Sequence, residues 1–104
     1  MSKNQVKKIV RQYADKLKIE NYPYSAVYLF GSHVCGNAHQ WSDIDVAVIS
    51  NKLRRNWWEN EIRLSKLSLG IDYRIEPHGF TPEDFKDACD PMVQEIKKTG
   101  IRIV

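Results

Sequence analysis

The stretch from Asp43 to Ser50, DIDVAVIS, restricts the fold more than any other part of the chain. In an extended strand successive side chains alternate faces, so Ile44, Val46 and Val48 share one face while Asp43, Asp45, Ala47 and Ile49 share the other. The first set is the expected core face. Aspartate is depleted in strands because its short polar side chain competes with the backbone ladder and resists burial. Here two project together beside the core, with Cα atoms about 6–7 Å apart by strand rise. Ionised carboxylates at that spacing repel, and a fold keeps them only if something positive sits between. A pair of divalent cations about 3.5–4 Å apart suits the gap. Hard carboxylate oxygens select Mg²⁺ or Mn²⁺ over zinc.

The rest of the chain alternates helix and strand without a linker or repeat. Residues 3–19 place Val6, Ile9, Val10, Tyr13 and Leu17 on one stripe, an amphipathic helix. SAVYLF (25–30) is a short buried strand ending on Gly31. After the Asp43 strand comes a helix stopped by Gly70, with Trp58, Ile62 and Leu69 on one face and Trp57 and Leu64 beside them. The two tryptophans are expected to pack on the sheet. IDYRIEP (71–77) reads as a third strand closed by its proline, which leaves His78 as a turn residue. Thr81-Pro82-Glu83-Asp84 and Asp90-Pro91 carry helix-start signals, and Thr99-Gly100 ends the last helix before a terminal strand, IRIV. About four strands interleaved with helices indicate an α/β or α+β fold with one sheet. With 104 residues the chain is expected to be a single domain spanning 1–104, too small for a catalytic domain plus a lid.

Two further features bear on chemistry. Gly31 directly follows a strand, where glycine allows a sharp turn and close approach to a ligand. With Ser32 it opens a short segment of one or two helical turns whose N–H groups and hydroxyl form a seat for phosphate oxygens. In the third strand Asp72, Arg74, Glu76 and His78 share one parity. Either Asp72 or Glu76 could complete a metal site with Asp43 and Asp45, leaving Arg74 to neutralise the spare acid or touch a phosphate. Phosphates beside metal-binding carboxylates mean phosphoryl or nucleotidyl transfer. His33, Cys35 and His39 are less apt for zinc, because structural zinc takes four ligands at finger-like spacing and Cys89 is distant.

LFGSHVCGNAHQWSDIDVAVIS resembles the signature of the DNA polymerase β-type nucleotidyltransferases: hydrophobic strand, Gly-Ser, a short spacer, then Asp-hydrophobic-Asp-hydrophobic. The short spacer and chain length are similar to the minimal nucleotidyltransferases of that family. The resemblance implies a small mixed sheet backed by helices. It implies triphosphate binding by Gly31 and Ser32, nucleotide and metal binding by Asp43 and Asp45, and catalysis by those two with a third acid. The segment following the third strand favours Glu76 over Asp72 for that role. His33 stands where the minimal family often has arginine. The family further implies Mg²⁺ (or Mn²⁺), ATP or another nucleoside triphosphate as substrate, and a role as antitoxin to a HEPN-domain partner, in some members by adenylylating it.

Composition excludes other classes. No apolar run approaches the roughly 20 residues of a membrane helix, and two cysteines make no disulfide scaffold, so a reduced, cytoplasmic setting is expected. A net charge of +3 permits phosphate contact without arguing for a nucleic-acid binder. Lys52, Arg54 and Arg55 would steer a nucleotide or RNA only if they lay near the acids. Because no residues remain for a second domain, the acceptor surface is expected from a partner protein or a second copy. The competing class is a non-catalytic binding module that masks a toxin or an RNA surface.

Overall fold

A computed structural model describes residues 2–39 and 42–104, so Gln40 and Trp41 in the motif's spacer lie outside the described residues. The first helix, α1 (Lys3–Ile19), begins where Ser2 and Gln5 cap each other: the Gln5 amide donates to Ser2 Oγ at 3.2 Å and the Ser2 amide to Gln5 Oε1 at 2.7 Å. Its stripe of Val6, Val10, Tyr13, Ala14 and Leu17 is buried. There follow β1 (Ala26–Phe30), a single-turn α2 (Ser32–Cys35), β2 (Ile44–Ile49), α3 (Trp57–Leu69), β3 (Ile75–Phe80), α4 (Pro91–Thr99) and β4 (Ile101–Arg102).

The four strands form one sheet in the order β3-β2-β1-β4. β1 pairs antiparallel with both β2 and β4, whereas β2 and β3 run parallel, as expected when α3 provides the crossover. The sheet is therefore mixed and backed by helices. On one face Val27, Leu29, Ile44, Val46 and Val48 pack with the α1 stripe and Leu64 of α3. The Tyr13 hydroxyl, buried there, donates to the Leu64 carbonyl at 2.9 Å and ties α1 to α3.

The opposite face is not simply polar. Ala47 and Ile49, on the same side as Asp45, pack with Ala26, Phe30, Phe80 and the α4 residues Val93 and Ile96. α4, which lies against β1, joins this cluster, and Ala47 and Ile49 are buried while Asp45 stays half-exposed.

Three local expectations need correction. β3 spans 75–80 rather than 71–77, because Asp72 and Arg74 close a turn in front of it. Pro77 lies inside the strand: the carbonyls of Arg74 and Phe80 accept from β2, so Pro77 faces the free edge, where a missing N–H costs no ladder bond. The neighbouring edge amide, Gly79, donates to Glu61 Oε1 at 2.8 Å. The Thr81 start signal produces only a short 3-10 turn, Asp84–Lys86, despite reciprocal Thr81–Asp84 hydrogen bonds of 3.0 and 3.1 Å. Asp90-Pro91 begins a new helix too soon for the first to extend. Finally, α3 turns Leu64 and Ser68 inward, and Trp57, Trp58, Ile62 and Leu69 stay exposed instead of packing on the sheet.

Candidate active site

The site forms where the N-terminal end of β2 meets β3 and the turn after β1. Gly31 has φ +83° and ψ −151°, a conformation closed to side-chain-bearing residues. A Cβ placed on it would lie 2.2 Å from Asp45 Oδ2. Glycine is thus required twice, by the bend and by the carboxylate packed against it. The bend starts α2, whose Val34 and Cys35 amides donate to the Gly31 carbonyl at 3.0 and 3.1 Å. Ser32 is half-buried at the start of that turn. His33 is buried with Nε2 3.3 Å from the Ser42 carbonyl, and so anchors α2 to the segment entering β2.

Asp45 pairs in register with Phe30 on β1 and with Glu76 on β3, and Ala47 pairs with His78. In-register residues of parallel strands share a face, so β3 presents Glu76 and His78 on the Asp45 side. His78 Nε2 lies 3.3 Å from Asp45 Oδ1, and the His78 ring stands edge-on to Phe30 at 5.4 Å between centroids. Asp45, Glu76 and His78 each offer a ligand atom within 4.8 Å of the others, the one such group among the described residues. Asp43 lies exposed just ahead of β2 and interacts with the Glu76 carboxyl.

Burial, hydrogen bonding and charge each shift the titration of this cluster. Desolvation raises the Glu76 carboxyl above its ordinary value, and the hydrogen bond with Asp43 and the charge of Asp45 push it further. His78 is also raised, chiefly by its hydrogen bond to Asp45, against an opposing desolvation and with help from Glu76 and Glu61. Both shifts run in the direction that favours protons as a counterweight to the crowded acids. A divalent cation would serve in place of those protons, and the oxygen-rich donor set fits a hard one.

Asp72 stands apart. Arg74 grips it through Nε at 3.0 Å and Nη2 at 2.7 Å, and the Arg74 amide adds a bond of 2.9 Å. These hydrogen bonds hold the Asp72 carboxyl below its ordinary value. Of the two candidate acids, the pairing places Glu76 and not Asp72 beside Asp45. His78, expected in a turn, lies inside β3 and joins the group, and its shared parity with Glu76 is the signal for it in the sequence. Lys52, Arg54 and Arg55 follow the far end of β2, at the opposite end of the strand from Asp45, and Arg54 pairs with Glu83. His33, Cys35 and His39 form no metal-binding group among the described residues, and both cysteines are free and exposed.

The sequence model of the family described as "Polymerase beta, Nucleotidyltransferase" matches residues 4–104. The chain belongs to that family. As a nucleotidyltransferase it is similar in structure to a Sulfolobus solfataricus protein assigned to the same activity, with a TM-score of 0.68 at 14% identity over 96% of this chain and 80% of that one. It is also similar to a toxin–antitoxin structure with AMP-PNP, at TM-score 0.64 and 26% identity, covering 89% of this chain and 71% of that chain. A third likeness is to the toxin–antitoxin MntA-HpeT carrying two aspartate-to-glutamate changes, with TM-score 0.59, 22% identity and coverage of 100% and 73%. No curated protein matches the nucleotidyltransferase.

Proposed function

We propose that this nucleotidyltransferase moves a nucleoside monophosphate, AMP from ATP, onto a hydroxyl of a partner protein and acts in the cytoplasm as the antitoxin of a HEPN/minimal nucleotidyltransferase pair. The observation that carries the proposal is the register of β2 against β3, which sets Asp45 beside Glu76 on one face with Asp45 packed on the Gly31 bend. The toxin–antitoxin structure with AMP-PNP, similar over most of the chain, supports both the adenine nucleotide and the toxin partner.

In this proposal Asp43, Asp45 and Glu76 hold the divalent metal, Mg²⁺ or Mn²⁺. A pair of such cations held there would lower the pKa of the attacking hydroxyl and neutralise charge on the departing pyrophosphate. Gly31 lets the backbone approach the triphosphate closely, and Ser32 supplies a hydroxyl to its oxygens. His78 holds the Asp45 carboxylate in one orientation. The acceptor oxygen bonds to the α-phosphorus as the bond to pyrophosphate breaks in line, and the hydroxyl proton is released. Catalysis in such a site is positioning plus charge neutralisation.

The test is transfer of α-labelled ATP, with Mg²⁺, to the product of the neighbouring gene as candidate toxin. Label on the toxin, lost in Asp45→Asn, is the expected result. A tight complex in which no label appears at any Mg²⁺ or Mn²⁺ concentration would refute transfer and leave the non-catalytic mask.

A further inference from the structure

The exposed apolar side chains of α3 follow a pattern. Trp58 is 70% exposed, Ile62 40% and Leu69 66%, and with Ser65 they recur at spacings of four, three and four. That is a heptad-like seam of about three helical turns, the spacing that presents a stripe to a facing helix. Trp57, 48% exposed, lies beside it with its ring 6.3 Å from that of Trp58. Two tryptophans side by side on an open helix are the residues most enriched at the centres of protein interfaces.

The charges beside the seam indicate what lies on it. Glu59 and Lys66 are exposed and seven residues apart, so they stand on the same flank. When a second α3 runs antiparallel about a two-fold axis through the middle of the seam, Trp58 meets Leu69 of the other copy. Ile62 then meets the small Ser65, and Glu59 meets Lys66, with every contact occurring twice. A face complementary to itself under two-fold rotation is the mark of an isologous dimer. We infer that α3 is a homodimer interface, closed by antiparallel packing of the Trp58-Ile62-Ser65-Leu69 seam and by two Glu59–Lys66 pairs between the copies.

The seam supplies roughly half of the ~800 Å² per partner of a standard interface, so dissociation in the micromolar range is expected. Sedimentation velocity on the full chain from about 1 to 200 μM measures it. A monomer–dimer equilibrium is expected, abolished by Trp58→Ala. Glu59→Lys should weaken association by about tenfold through repulsion at both ends, and adding Lys66→Glu should restore it. The restoration separates specific pairing from indiscriminate apolar contact, because both variants carry the same altered helix terminus. A chain that stays monomeric throughout the range, or a double variant that remains as weak as Glu59→Lys alone, overturns the inference and leaves the seam to a different protein.

Discussion

Replacing Gly31 by alanine tests the geometry on which the site depends. The new methyl group would sit 2.2 Å from Asp45 Oδ2, 3.1 Å from its Cγ and 3.2 Å from its Cβ, all well inside van der Waals contact. Independently, φ +83° with ψ −151° is a glycine conformation, and holding alanine there costs about 1–3 kcal/mol. Forcing the carboxylate aside adds overpacking of about 1–3 kcal/mol. Together these give roughly 2–6 kcal/mol, a large share of the ~5–15 kcal/mol that stabilises an ordinary domain. Urea denaturation followed by circular dichroism reads the loss. The steric share is separable: in an Asp45→Ala background the carboxylate is gone, so Gly31→Ala should cost about 1–2 kcal/mol less there. The backbone share should persist in both backgrounds. A Gly31→Ala cost below about 1 kcal/mol, or the same cost with and without the Asp45 carboxylate, would refute the close approach of bend and acid.

Three other outcomes follow from the site and its surroundings. Arg74 holds Asp72 below its ordinary value, so their pairing stabilises the fold above the unfolded carboxylate pKa and is lost as pH falls through the folded one. Asp72→Asn should therefore lower the urea midpoint at pH 7 but not at pH 2, and should leave nucleotide transfer intact. The His78 ring, raised above 6.5 by Asp45, contributes stability below that value and loses it as pH rises through the folded pKa. Its NMR titration should move down in Asp45→Asn and when Mg²⁺ is added, and a midpoint indifferent to both would count against the contact. Glu76 is raised as well, first by desolvation and then by Asp43 and Asp45, so the fold disfavours its ionised form. Glu76→Gln should thus be at least as stable as the parent at pH 7, indistinguishable from it below pH 4, and inactive in transfer.

What was legible in the sequence was local. The α1 stripe, the strand within 43–50 and the Asp90-Pro91 helix start depend on residues within a few positions of one another. The readings that failed concern what neighbours do. A helix pattern shows that α3 has an apolar stripe, but Leu64 and Ser68 compete with Trp58, Ile62 and Leu69 for the sheet, and only docking decides which face is buried. Residues 71–74 have strand parity, yet Arg74 reaches back to Asp72 and makes a turn of them.

The chain's order of residues determined that two aspartates would stand at the head of a core strand, just after a glycine that bends the backbone. Alternation and turn chemistry act over a few residues, and no partner is needed to establish them. Only the tertiary structure decided which acid and which histidine would join them. Parallel pairing of β2 with β3 is a long-range contact, and the turn that delays β3 moves the register from Asp72 to Glu76. A shift of one residue would have turned that carboxylate to the opposite face, because side chains in a strand alternate with a period of two.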